Sequence, residues 1–294
     1  MGDLGQVVQV PGFNLRDEGA IAAAVSKSHV VFNLIGADAP TSRWPYEDVH
    51  VSGAARLAAA SAAAPAVERF VHVSVLGASP AAPSPRLRTR AAGEAAVRAA
   101  FPTATLARLA PLVGVEDRLT NALAALGVTL PAIPLVGGGG AALSPAWVVD
   151  VATALVATLR SPTAPGRAYD LAGPDTLTVA GLASLVLDLM REPDRTVPLP
   201  AALAAFAARL PLAGAILPPA FLTADAVAEA GVDRVASGAA GVGTFADLGV
   251  SPSGIRAGGA PVDHLRWLRA GGYEVGTTSG NASTGGAGFG APVA

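Results

Sequence analysis

The runs Val30-Val31-Phe32-Asn33-Leu34-Ile35 and Phe70-Val71-His72-Val73-Ser74-Val75 are nearly continuous in apolar and β-branched residues. A strand with one wet face alternates apolar and polar residues, whereas a strand covered on both faces does not, so these two belong inside a parallel sheet. Around them short apolar runs alternate with Ala-rich helical stretches, the pattern of βαβ units. Further strands are expected at Val7 to Val10, Thr105 to Leu109 and Ala168 to Ala172. Helices are expected at Asp17 to Ser28, Tyr46 to Ala64, Leu87 to Phe101, Trp147 to Arg160 and Val179 to Arg191. The fold class that follows is α/β: a Rossmann-type doubly wound parallel sheet over residues 1–160 and a smaller, mainly helical C-terminal lobe over 161–270. The segment 271–294 is Gly, Ser, Thr and Ala with almost no large apolar residue, and is expected to be a disordered tail because it cannot offset its ordering entropy.

Composition narrows the function classes. Of 294 residues only 14% are charged, against about 25% in ordinary soluble domains, and the mean hydropathy is +0.48. Part of this reflects Ala-rich, GC-type coding, since Lys27 is the only lysine; the remainder predicts a surface covered by other molecules. The absence of cysteine excludes a disulfide scaffold, a thiol nucleophile and Cys-ligated metal centres. A net charge of −2 supplies no basic field for nucleic acid. The uncharged stretch Leu119 to Val149 is long enough to span a bilayer but holds Pro131, Pro134, Pro145 and four consecutive glycines from Gly137, so it cannot form one helix. Val197 to Leu222, broken by five prolines and Arg209, reads as short apolar helices lying against a surface. No signal or transit peptide is evident after Met1, and Asn281-Ala282-Ser283 is read as an unused sequon.

Open parallel sheets bind ligands beyond the carboxyl ends of their strands. The segments to interrogate are Phe13 to Asp17, Asn33 to Asp38, Ser74 to Ser79 and Ala110 to Gly114. On its own pattern Asn14 reads as a cap for the helix that follows. Asn33 and Gly36 either line the floor of a ligand site or simply end a strand. His72 and Ser74 share one strand face, but no GxSxG elbow accompanies them, and His72 is read as a core residue. His29, His50 and His264 lack ligand spacing, so no metal is expected. Glu116-Asp117-Arg118 reads as a helix start, a structural pairing or a partner contact.

These segments in this order resemble the short-chain dehydrogenase/reductase superfamily, in its atypical extended branch. Met1 to Gln6, Val30 to Gly36, Tyr46-Glu47-Asp48-Val49, Glu68 to Ser74, Gly93-Glu94, Phe101-Pro102, Gly114 to Arg118, Val148 to Val151, and Asp247-Leu248-Gly249 with Trp267-Leu268-Arg269 narrow the likeness. Together they resemble the NADH dehydrogenase 1 alpha subcomplex subunit 9 family, dinucleotide-binding accessory subunits of mitochondrial respiratory complex I. The resemblance implies NADPH as a structural ligand, with Asn14, Asn33, Leu34, Gly36, Ser74, Arg90 and Pro111 as its contacts. It also implies the other complex I subunits as partners, and a peripheral place on the matrix side of the mitochondrial inner membrane without a transmembrane helix.

Two departures from the superfamily pattern bear on function. The resemblance puts Met1 to Gly5 inside the domain, after a first strand, a Gly-rich turn and a helix that would cradle the pyrophosphate. The sequence is therefore expected to lack its first βαβ unit, through a start at an internal methionine or through loss of the cradle. The second departure is catalytic. The superfamily's Tyr, a general acid/base, and the Lys four residues on, which lowers its pKa, correspond here to Arg86 and Arg90. A guanidinium, with a pKa above about 12, cannot exchange a proton near neutrality, so no catalytic residue is assigned. A free-standing NAD(P)H-dependent reductase or epimerase, or a dinucleotide-sensing regulator, is the alternative function.

Overall fold

The computed structural model describes residues 13–115, 117–209, 223–256 and 260–268. Its centre is a four-stranded, all-parallel sheet of β1 (Val30–Asn33), β2 (Arg69–Val75), β3 (Thr105–Leu109) and β8 (Ala168–Leu171), in that spatial order. The pairing registers Val31 against Phe70, His72 against Leu106 and Ala107 against Tyr169. Consecutive residues of one strand serve opposite faces. Leu106 and Phe70 pack with Ile21 and Val25 of α1 (Glu18–Val25), Leu57 and Ala58 of α2 (Ala54–Ala63) and Val97 of α3 (Pro85–Ala100). Ala107, Tyr169 and Leu171 pack with Val151 and Ala154 of α5 (Val148–Arg160) on the other side. Burial on both faces explains the unbroken apolar runs. Among the described residues the strand order runs one way along the sheet.

β1 ends at Asn33, two residues before its apolar run does, because the Asn33 Oδ1 accepts from the Ile35 backbone N–H at 3.1 Å and turns the chain. The helix expected over Tyr46 to Ala64 begins as a π-helical turn, Glu47–Gly53, before becoming α2. That turn lies against α3, and a Cβ on Gly93 would overlap the His50 carbonyl, so only glycine permits the approach. The expected strand Val7 to Val10, the tail 271–294 and the apolar residues 210–222 lie outside the described residues.

A second core joins elements from before and after β8. Leu123 and Leu126 of α4 (Thr120–Thr129) and Ile133 and Leu135 of β5 (Ile133–Val136) pack with Leu182, Val186 and Leu187 of α6 (Val179–Met190), and Leu265 of α9 (Ala260–Leu268) closes the cluster. α4 falls inside the stretch whose prolines and glycines argue against one long helix; Asp117 starts it by accepting from the Thr120 N–H at 2.6 Å, the capping use of an acid at a helix N-terminus. The pairs β10 (Thr196–Leu199) with β5, β4 (Leu112–Val113) with β7 (Ala146–Trp147) and β6 (Ala142–Leu143) with β9 (Leu177–Thr178) complete the lobe. α7 (Ala201–Ala207) and α8 (Ala224–Glu229) flank residues 210–222. No helix among the described residues is long and apolar enough to cross a membrane.

Candidate functional site

The site is built at the carboxyl ends of β1 and β2, against the first turns of α3. Ser84 starts α3 by accepting from the Leu87 N–H at 3.1 Å, and Pro85 follows at the first helical position, where its missing N–H costs nothing. Arg86, Thr89 and Arg90 therefore emerge from the first six residues of this helix. Arg86 and Arg90, four apart, share a face, but their surroundings differ.

Arg86 is held by acids. Its guanidinium pairs with Glu229 at the end of α8 and with Asp38 at 3.3 Å, in the loop after β1. Glu229 is buried, its side chain 1% exposed, and also accepts from the Ser84 hydroxyl at 2.6 Å and from Arg234 at 2.5 Å. Burial pushes the Glu229 carboxyl up, but the hydrogen bond and charge of Arg86, with Ser84 and Arg234, outweigh it and hold the carboxyl below its ordinary range. Burial opposes the charged form of Arg86 as well, and Glu229 more than reverses that.

Arg90 has no hydrogen bond or ion pair among the described residues. It lies directly against Gly36, where a Cβ would overlap its guanidinium. Burial, only partly offset by Asp38, lowers its pKa. Two neutral histidines sit within its field. His72 on β2 meets the Asn33 amide at 3.0 Å, and burial, then Arg90, pushes it down to about 4. His50 accepts from the Ala37 N–H through Nε2 at 3.1 Å and meets the Thr89 hydroxyl through Nδ1 at 2.9 Å. It too is pushed down to about 4, by burial and then Arg90. Tyr46 stacks on His50, ring centroids 5.2 Å apart, and its hydroxyl lies 2.8 Å from the Asp38 carbonyl and 2.7 Å from the Asp225 carboxylate. Burial and Asp225 raise its pKa above the ordinary phenol value, which makes it a poorer acid.

The structure gathers Asn33, Gly36 and Arg90 of the expected set around His72. Ser74 lies two residues along β2, fully buried, and its hydroxyl has no partner among the described residues. Leu34 is 64% exposed at the end of β1. Asn14 does local work: its Oδ1 accepts from the Arg16 N–H at 3.0 Å and its carbonyl from the Asp17 N–H, while Asp17 caps α1. Pro111 accepts from the Ala146 N–H at 3.0 Å and so pins β4 to β7. No hydrogen bond or ion pair ties Asn14 or Pro111 to the Arg90 cluster among the described residues. Arg118, in the segment read as a pairing element, bonds to Asp38. No group of three metal-ligating side chains occurs among the described residues. Glu229, Arg234 and Asp225 escaped the sequence reading; they lie far downstream of α3, and no local pattern joins them to Arg86.

This arrangement offers hydrogen-bond donors to a ligand. Two uncommitted donors, the Arg90 guanidinium and the Ser74 hydroxyl, suit ribose hydroxyls or other oxygen acceptors. The Arg86 cation, by contrast, is bound to two carboxylates.

Fold and site together define a Rossmann-type α/β protein. UDP-glucuronic acid 4-epimerase from Bacillus cereus, in complex with UDP-glucuronic acid and NAD, superposes with a TM-score of 0.63 at 13% identity, covering 87% of this chain and 79% of the epimerase. MoeE5 in complex with UDP-glucose and NAD gives 0.62 at 17%, covering 85% and 82%. At such identities the likeness carries the fold alone. No family model matches the chain. The mitochondrial NADH dehydrogenase [ubiquinone] 1 alpha subcomplex subunit 9 of Arabidopsis thaliana is 38% identical over 95% of this chain and 70% of its own length. The mitochondrial NADH-ubiquinone oxidoreductase 40 kDa subunit of Neurospora crassa is 36% identical over 86% and 65%. The mouse subunit 9 is 37% identical over 68% and 52%, so the chain matches about half to two thirds of the length of these last two. The chain belongs to the subunit 9 family.

Proposed function

We propose that this protein is a non-catalytic accessory subunit of mitochondrial respiratory complex I, holding NADPH as a structural ligand. It sits peripherally on the matrix side of the inner membrane, with other complex I subunits as its partners. Family membership supports the assembly. The observation that carries the non-catalytic reading is the commitment of Arg86 to Glu229 and Asp38, at the place where reduction of a carbonyl needs a proton donor. The dinucleotide lies across the carboxyl ends of β1 to β3, with Asn33, Leu34 and Gly36 under it, Arg90 and Ser74 bonding it, and Asn14 and Pro111 at its margins. The bound dinucleotide supplies no redox step here and acts as a wedge that orders the surrounding loops. The low charge of the sequence and the exposed Leu203 and Phe206 of α7 fit a protein whose surface is covered by neighbours. Native-gel electrophoresis of mitochondrial membranes tests the assembly: comigration with the respiratory complex is expected, and a soluble monomer absent from the membrane fraction refutes it. Oxidation of NADPH by the purified protein with simple carbonyl compounds would refute the absence of catalysis.

A further inference from the structure

Residues 224–234 form a strap across the ligand side of the sheet. Behind α8 the chain crosses the carboxyl end of β2. At Gly77, two residues past that end and at φ +83°, a Cβ would lie 3.0 Å from Val232 and 3.4 Å from the Asp233 carbonyl. The strap is then tied to β6: Asp233 accepts from the Ala142 N–H at 2.8 Å, and the Arg234 N–H donates to the Ala142 carbonyl at 2.7 Å. The Arg234 carbonyl accepts from the Ser144 N–H beside β6 as well, at 3.1 Å, and the side-chain fastenings reach the site. Tyr46 bonds Asp225 at one end of α8, and Arg86, Ser84 and Arg234 converge on Glu229 at the other.

We propose that Glu229 is a positioning residue that latches this strap shut over the dinucleotide site, turning what would be a substrate cleft into a retention chamber. The inference rests on the dinucleotide reading given above. The chemistry favours a latch over a general stabilising contact. Of the three groups that share this buried carboxylate, Arg234 lies on the strap itself, whereas Arg86 and Ser84 lie at the start of α3, so parting α3 from the strap breaks two of the three bonds and leaves the Arg86 guanidinium and half of the Glu229 shell to be rehydrated. Arg86 thereby blocks the substrate side of the site while Arg90, one turn on, remains uncommitted for the ligand.

A latch governs passage and not affinity, so Glu229→Gln in the full-length protein should speed both NADPH association and dissociation. Each is expected to rise about tenfold, with Kd changed by less than about threefold, read by stopped-flow fluorescence of the reduced nicotinamide. Glu229→Asp, which keeps the charge, should recover part of the slow rates. A weakened Kd at unchanged association rate would make Glu229 a ligand contact and overturn the proposal, as would two unchanged rates. If the wild-type protein binds no NADPH, the dinucleotide reading fails, and hydrogen exchange without ligand then decides the latch. Faster exchange in 224–234 with protection kept in 105–109 supports it. Unchanged exchange in the strap, or equal loss in both segments, refutes it.

Discussion

Arg86 and Gly93 stand seven residues apart on α3, two turns of helix, and both are fixed by elements distant in sequence: Arg86 by Glu229 of α8, Gly93 by the His50 carbonyl of the π-helical turn. One helix is thus joined to α8, far downstream in the chain, through charge and to the π-helical turn through close backbone contact. The two joints should fail differently.

Arg86→Ala removes one partner of a buried carboxylate. Such a loss costs about 3 to 5 kcal/mol when the remaining charge is left alone. Here Arg234 and Ser84 still bond Glu229, so a loss of about 2 kcal/mol is expected. Urea denaturation should show a lower midpoint at unchanged slope. Arg86→Ala/Glu229→Gln should be less destabilised than the sum of its single variants, because the pair is coupled; strict additivity would show that the two do not act as a unit.

Gly36→Ala and Gly93→Ala separate a flexible obstacle from a rigid one. At Gly36 the new methyl meets only the end of the Arg90 side chain, which can swing away, so stability should fall by less than about 1 kcal/mol while NADPH retention drops. At Gly93 it meets backbone, which cannot yield without moving the π-helical turn off α3. A loss of about 2 to 3 kcal/mol in thermal or urea unfolding is expected there. Equal effects at the two positions would contradict the packing described.

The central strands were legible because burial on both faces leaves its mark in the residues themselves: Thr105 to Leu109 is a strand from end to end, and Phe70 to Val75 misses only Arg69. Asn33, Gly36 and Ser74 stand out because strand ends hold ligands in open parallel sheets, and Arg90 through the family resemblance; the structure places Arg90 against Gly36. The fastening of Arg86 was not legible. Glu229 lies in a lobe of short, proline-broken segments without periodicity, and a partner 143 residues away is fixed by tertiary packing alone. The hydrogen bonds of Asn14 serve a local turn, and the one at Pro111 ties β4 to β7.

Arg108 on β3 links three elements: it donates to both oxygens of Glu94 on α3 and lies 3.9 Å from Asp170 on the neighbouring strand β8, both carboxylates being buried. Arg108→Ala leaves two buried acids without their common cation, and a loss of about 3 to 5 kcal/mol is expected. Arg118→Ala removes a pair that is largely solvated, with Arg118 75% exposed, and should cost no more than about 0.5 kcal/mol. Chemical denaturation of both variants tests the contrast, and comparable losses would mean that burial is not what sets the strength of these pairs.

Acid should weaken the fold in a window set by His50 and His72. Both are held neutral in the folded protein, with pKa values pushed down to about 4 by burial and then by Arg90, whereas in the unfolded chain a histidine takes up its proton near pH 6.5. As pH falls through that value the unfolded state binds protons that the folded state refuses, so stability declines from about pH 6.5 down to about 4. The slope approaches 2.7 kcal/mol per pH unit if both histidines contribute fully. The buried carboxylate of Glu229, held low by its arginines, works in the same direction but only below the ordinary carboxylate range. Arg90→Gln removes the repulsion that both histidines feel, so their imidazole resonances should titrate at higher pH than in the wild type and the decline in stability should become shallower. Histidine titrations by NMR that do not move on this substitution would show that Arg90 lies too far from the pair to act on it.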